Sequence, residues 1–314
     1  MAYPIDGGSS EYGSYSGVFI PTIWSGKLIE KFYDATVLAA IANSDYEGEI
    51  KNQGDIVKIR TKPTISINDY SAGQSLTVER PTSSVVELQI DKGKYFNTIL
   101  DDVMETQADL NLLSMWADDA SEQMKIAIDT DVLGNIGADV STENLGLTAG
   151  RISGDVNLGT AGAPVQLVDK GAVAPNVEVI DLITRLGQVL DEQNIPETGR
   201  WLIIPSWMCA MIKRSELRDA SLTGDSVTML RNGRLGMIDR FTVYMSNLLP
   251  NAAGVTTVFA GHSHGLTFAS QLTKVETLRG ESSFGTYLRG LQVYGYKVTD
   301  GTAITSAEVQ KATA

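Results

Sequence analysis

The segment Gly261-His262-Ser263-His264-Gly265 has the residue types and spacing of a G-x-S-x-G nucleophile elbow, in which a serine on a tight turn is activated by a histidine. Ser263 would then be the nucleophile of a hydrolase. That histidine must come from elsewhere in the fold, and the chain's two histidines are His262 and His264, both inside the segment. The elbow also needs a helix after it, whereas Leu266 to Leu272 reads as a strand, so a tight turn between two strands is expected. His262 and His264, at i and i+2, share one face of an extended strand, but no local spacing supplies the third ligand that a metal needs. Asp101-Asp102 and Asp118-Asp119 imitate paired catalytic carboxylates, yet adjacent residues on a helix diverge by about 100° and form a solvated acidic face instead. There is no Walker A sequence, no G-x-G-x-x-G after a strand and no H-E-x-x-H, and Cys209 has no histidine outside the turn to activate it. The chain is expected to be no enzyme, with no catalytic residue, cofactor or metal.

The elements that would position such groups are more informative. The 314 residues, 43% hydrophobic and 20% charged, suffice for one large domain or two ordinary ones. A formal charge of -13 argues against gripping phosphate backbones, and Lys213, Arg214, Arg218, Arg231, Arg234 and Arg240 are interspersed with acids. A single cysteine excludes an intrachain disulfide, and the longest apolar run, Val37 to Ala42, is too short to span a bilayer. A soluble, cytosolically made protein with no membrane partner is expected.

Met1 to Gly17 is too poor in aliphatic residues to offset its ordering entropy and reads as a mobile arm. A short helix is expected from Trp24, with Leu28, Phe32, Ala35, Ala39 and Ala42 inward. Val57, Ile59, Thr61, Pro63, Ile65 and Ile67 alternate with Lys58, Arg60 and Lys62, and Val86, Leu88 and Ile90 alternate with Glu87, Gln89 and Asp91. Antiparallel pairing would set acids opposite bases in a hairpin of roughly 36 Å, with Asn68 to Ser83 as an unusually long tip. Leu100 to Gly137 reads as a helix of about 50 Å, with an interruption near Asp109 to Asn111. Asp101, Asp102, Glu105, Asp109, Asp118, Asp119, Glu122, Asp129 and Asp131 lie on it against Lys125.

Ala138 to Ala174 is glycine-punctuated and loop-rich. A helix is expected from Asn176, with Val179, Ile183, Leu186 and Leu190 inward, then a buried strand Arg200 to Ile204 and a helix Ser206 to Leu217. Strands follow at Phe241 to Met245, Thr256 to Ala260, Leu266 to Leu272, Val275 to Leu278 and Tyr287 to Val298, and the tail fades into small polar residues. An isolated hairpin is marginal in water, so Val57, Ile59, Val86, Leu88 and Ile90 need cover, most economically from a neighbouring copy. The pattern alone thus points to a self-associating subunit.

The order of elements resembles the major capsid proteins of tailed bacteriophages with the Hong Kong 97-type fold, over nearly the whole chain. The similar stretches are Phe19-Ile-Pro-Thr-Ile-Trp-Ser-Gly-Lys-Leu28, Gly54-Asp-Ile-Val-Lys-Ile-Arg60 and Pro196-Glu-Thr-Gly-Arg-Trp-Leu-Ile-Ile-Pro205. Gly236-Met-Ile-Asp-Arg-Phe-Thr-Val-Tyr-Met-Ser-Asn247, with Leu249-Pro250 after it, and Leu288-Arg-Gly-Leu-Gln-Val-Tyr-Gly-Tyr-Lys-Val298 are similar too. The resemblance implies an α+β fold in four parts. These are an N-terminal arm and short helix at 1–46, an extended β-hairpin loop at 47–98, a peripheral domain with a spine helix at 99–140 and 256–314, and an axial domain at 141–255.

It also implies assembly through pentamers and hexamers into an icosahedral virion head, put together in the host bacterial cytoplasm and enclosing double-stranded DNA without reading its sequence. Scaffolding and portal proteins, the scaffold as a separate chain, and a decoration protein are the implied partners. Tyr70, Glu79 and Arg80 at the hairpin tip are the candidate intersubunit contacts, with Val57, Ile59, Val86, Leu88 and Ile90 along its face. Lys92 and Lys94 lie at its base, where no cross-link is expected. An encapsulin-type bacterial nanocompartment shares the fold and is the alternative; a hydrolase using Ser263 is the distant one.

Overall fold

The computed structural model describes residues 33–34, 36–45, 56–63, 65–83, 85–107, 111–215, 236–280 and 284–312. The arm expected at 1–17 and most of the helix expected from Trp24 lie outside them. In chain order the first half comprises α1 (Leu38–Ile41), β1 (Ile56–Arg60), β2 (Val85–Gln89), β3 (Lys92–Asp101), α2 (Asp102–Gln107) and α3 (Leu112–Asn135). There follow β4 (Val165–Val168), β5 (Val177–Glu178), α4 (Val179–Glu192), β6 (Arg200–Ile204), α5 (Ser206–Arg214), β7 (Met237–Ile238) and β8 (Phe241–Met245). The last are β9 (Asn251–Ala252), β10 (Val255–His262), β11 (Leu266–Arg279), β12 (Gly285–Val298) and β13 (Ile304–Lys311).

The larger sheet has the order β5-β4-β13-β10-β6-β8-β7, with β9 paired to β10. Its strand β6 is buried at every position, and side-chain alternation divides it between two cores. Leu202 and Ile204 pack with Leu182, Ile183, Leu186, Val189 and Leu190 of α4 and Met208, Met211 and Ile212 of α5. Trp201 and Ile203 face the other way and join Ile128, Val132, Leu133 and Ile136 at the end of α3. Each fully buried aliphatic side chain contributes about 1.5–3 kcal/mol.

Two expectations fail here. The tail does not fade: Ile304, Thr305, Ala307 and Val309 are buried in β13, a central strand, where small residues fit beneath α4. The boundary expected at 255/256 cuts through hydrogen-bonded structure, because β10 and β13 complete the sheet that β6 and β8 begin. In addition, α4 starts at Val179, two residues later than the Asn176 cap implied, because Val177 and Glu178 pair with β4.

The second sheet, β11-β12-β3, is antiparallel and long. Its strand β3 replaces the expected start of the long helix: Leu100, 1% exposed, is a strand residue. Tyr95, Phe96, Thr98 and Ile99 supply the aromatic and β-branched run that favours this state. The helix proper begins again at α3, where the Asn111 side chain accepts a hydrogen bond from the Ser114 amide at 3.4 Å and caps it. Its 24 residues give about 36 Å, shorter than expected. Gly290 sits opposite Phe96 and leaves room for that ring, which a methyl group would meet at 2.2 Å.

The hairpin β1-β2 forms in the expected antiparallel sense, with Val57 opposite Leu88, Ile59 opposite Val86, and Lys58 opposite Glu87 at 3.1 Å. Its ladder covers five residues per strand; among the described residues the legs at 61–63 and 65–83 carry no ladder, and they turn back at Gly73, where the Gln74 amide donates to the Ser71 carbonyl.

Candidate functional site

The Gly261–Gly265 segment is a tight turn from β10 into β11. The Gly265 amide donates to the His262 carbonyl at 2.9 Å, and His262 Nδ1 accepts from the His264 amide at 3.1 Å. Thr299 clamps the far side, donating its hydroxyl to the His264 carbonyl at 2.8 Å. A strand follows, so Ser263 is not presented on an elbow. Among the described residues no group of three His, Cys, Asp or Glu side chains is placed to hold a metal.

The acids of α2 and α3 are not the uniform solvated face that their spacing suggests. Asp102 pairs with Arg279 at the far end of β11. Asp119 accepts from the Tyr33 hydroxyl at 2.8 Å, and Asp131 accepts from the Tyr294 hydroxyl at 2.9 Å, with Lys92 at 3.5 Å. Burial, with help from Asp131, pushes the Tyr294 phenol upward. Asp129 is 4% exposed and accepts from the Val37 and Leu38 amides. Its carboxyl is raised by desolvation, against which the two amides act. Four carboxylates thus fasten α2 and α3 to other elements.

A cluster beside α4 is equally structural. The Arg200 side chain is buried and donates to Asp191 Oδ1 at 2.7 Å and to the carbonyls of Ile195 and Pro196. Arg240 reaches Asp191 Oδ2 at 2.8 Å and Glu197 at 2.9 Å. Desolvation raises the Asp191 carboxyl, but bonds from Arg240 and Arg200 outweigh it and hold it low.

The features left for function are surfaces. The hairpin root is covered by its own chain: Leu88 (0% exposed) and Ile90 (7%) cluster with Ala269, with Val57, Ile59 and Val293 against them. The expected need for a neighbouring copy at Leu88 and Ile90 therefore does not arise, because β2 crosses β12 at Gly295 and lies on the three-stranded sheet. Beyond the root, Ile65, Ile67, Tyr70, Leu76 and Val78 are exposed along the legs, Ile67 at 92%. Tyr70 and Arg80 are exposed at the tip, while Glu79 accepts from the Ser66 amide at 3.0 Å and ties the legs together.

The same sheet face continues past the root. Cross-strand register places Tyr95, Leu291 and Lys274 in one row, Asn97, Arg289 and Glu276 in the next, and Ile99, Tyr287 and Leu278 in a third. Tyr95, 79% exposed, Ile99, Leu278 and Leu291 are bare, around an ion cluster in which Glu276 meets Lys274 and Arg289. The sequence reading missed this face; the signal was β3 itself, apolar on both faces at Tyr95, Ile99 and Phe96, Leu100, which implies cover on both sides.

The family described as phage capsid protein matches residues 85–307. That is well over half of the sequence. The chain belongs to this family. Among solved structures, a Mycobacterium phage Che8 protein is similar with a TM-score of 0.72 and 25% identity, covering 92% of this chain and 96% of the other. The mature capsid of bacteriophage PhiM1 gives a TM-score of 0.70 at 14% identity, with 96% of each chain covered. The capsid of a native GTA particle gives 0.66 at 14% identity, covering 96% and 99%. No curated protein matches. The fold is the Hong Kong 97-type α+β capsid fold, and the chain is a major capsid protein, a structural component of the virion shell.

Proposed function

We propose that the chain builds an icosahedral head from pentamers and hexamers and encloses double-stranded DNA without binding it sequence-specifically. On this reading the helical layer and larger sheet form the axial part around five-fold and six-fold positions, and α3 with the three-stranded sheet forms the wall. Each hairpin lies over a neighbouring copy. The observation that carries this is the pairing of two incomplete surfaces in one molecule: apolar legs with no ladder, and a sheet face covered at one end by the chain's own hairpin root and bare at the other. Legs of a second copy fit the bare end, with Tyr70, Glu79 and Arg80 at the leading tip, while Val57, Ile59 and Val86 stay at the root.

A separate scaffolding protein, a portal and a decoration protein would complete the particle, assembled in the host cytoplasm, and no catalytic step is required of this chain. A combined Tyr70→Ser, Glu79→Ala, Arg80→Ala variant should melt like the parent, since these side chains are largely exposed, but give few closed shells in sedimentation and electron microscopy. Shells at parental yield would refute the tip's role. The content of purified shells separates a genome container from an encapsulin-type compartment: DNA supports the first, enclosed protein cargo without DNA the second.

A further inference from the structure

Residues 36–45 form a strap fastened to two bodies. On α3, buried Asp129 accepts from the amides of Val37 at 2.6 Å and Leu38 at 3.3 Å. Just past α1, Asn43 makes a parallel bridge to β11: its amide donates to the Leu266 carbonyl at 2.8 Å, and its carbonyl accepts from the Phe268 amide at 2.9 Å. β11 is the end strand of its sheet, and among the described residues this bridge is the backbone cover on that edge. An open edge of this kind is a template for pairing with another chain.

The docking is not self-sustaining. α1 has four residues, far too few for a stable isolated helix, so the strap depends on its contacts and on burial of Val37, Leu38 and Ile41. The fit is incomplete, since a cavity of about 370 Å³ opens between the strap, α3 and the sheet, lined by Leu38, Ala42, Ile128 and Phe268. The carboxylate that pins the strap has no ion pair among the described residues; Lys125, one turn earlier, is held by Glu122 at 2.6 Å. Desolvating a carboxylate whose partners are main-chain amides alone makes a conditional fastening.

We propose that the strap is an edge guard: docked on Asp129 it caps the proximal edge of β11, and its release opens the Leu266 carbonyl and Phe268 amide to strand addition by a second copy of this chain. Association between copies rests on the proposed shell function, whereas the coupling of the edge to Asp129 does not. The test is hydrogen exchange by mass spectrometry on the full chain, with sedimentation of the same samples. Asp129→Ala should speed exchange at Val37, Leu38 and, across the strap, at Asn43 and Phe268 by roughly ten- to a hundredfold, and raise association at equal concentration. Asp129→Asn keeps an acceptor and should stay near the parent.

Asn43→Pro removes the bridge donor while leaving Asp129 in place, and its preceding residue Ala42 is already extended at φ -92° and ψ 150°. It should open Phe268 and raise association in the same way, which keeps the test available if Asp129→Ala does not fold. Unchanged Phe268 exchange in Asp129→Ala or in Asn43→Pro overturns the coupling. Faster exchange without added association overturns the guard. Failure of the parent to assemble under any condition would count against the shell reading and leave the exchange result standing.

Discussion

Replacing Gly295 by alanine should detach the hairpin from the three-stranded sheet. A methyl group there would lie 2.1 Å from the Gln89 carbonyl oxygen and 3.0 Å from the Ile90 Cα, both main-chain atoms that cannot rotate away. Restoring an ordinary carbon–oxygen contact requires β2 to move by roughly 1 Å, and a gap of that size forfeits up to about half of the dispersion attraction of each displaced contact. The expected cost is about 1–3 kcal/mol. The root holds two well-buried side chains, Leu88 and Ile90, worth about 1.5–3 kcal/mol each, so the penalty removes a large part of what fastens it.

Because this cluster is separate from the other two cores, the loss should be local. Amides of 85–90 should exchange faster while those of β6 and α4 keep their protection, and shell yield should fall. Gly93→Ala is the control, since its methyl group would meet only the Gln292 carbonyl oxygen, at 3.9 Å. Gly295→Ala with hairpin protection and shell yield equal to Gly93→Ala would refute the crossing as the fastening point.

Arg200→Met should lower stability by about 2–3 kcal/mol in chemical denaturation, because it strands the Ile195 and Pro196 carbonyls and half of the Asp191 carboxylate. Tyr294→Phe should cost about 1 kcal/mol by removing the hydroxyl donated to Asp131, read as a lower melting temperature with the fold unchanged. Although burial acts to raise it, the Glu192 carboxyl is lowered to about 2 by bonds from the Ser153 and Ile152 amides. Its stabilising contribution is therefore complete above the ordinary carboxylate range and lost as pH falls through about 2. Proteolysis of the 150–154 loop by an acid protease should remain slow at pH 4 and quicken toward pH 2, and Glu192→Ala should be cut readily at both. Ser263→Ala should leave shell yield unchanged and remove no hydrolytic activity from purified protein.

Where burial on one face sets the period, the residues announced the structure. The α4 stripe, the apolar run Trp201 to Ile204 of β6 and the alternation of Val57 and Ile59 against Val86 and Leu88 were all readable, as was the turn at Gly261–Gly265. β3 was not, because Leu100, Val103 and Met104 also satisfy helical spacing and the choice was made by pairing with β12, some 190 residues away. β13 escaped because Ile304 and Val309 stand among Thr305, Ser306 and Ala307 in a run too poor in aliphatic residues to mark a core strand, and nothing in their own types reveals that β10 and β4 flank them. The roles of Asp102, Asp129 and Asp131 were hidden for a related reason: a carboxylate on a helix looks alike whether it meets water, an amide from residue 37 or a tyrosine from residue 294. The contacts of the shell are less legible again, because half of each lies on another copy; the bare row of Tyr95, Ile99, Leu278 and Leu291 became visible only once register aligned three strands.

The most direct test of the account is the mass of the purified full-length chain in solution, measured across a concentration series and with a crowding agent, with electron microscopy of the same fractions. Five- and six-membered rings or closed shells are the predicted result. A monomer of 33.8 kDa at every concentration, with the hairpin legs and the sheet face of Tyr95 both open to solvent, would contradict it.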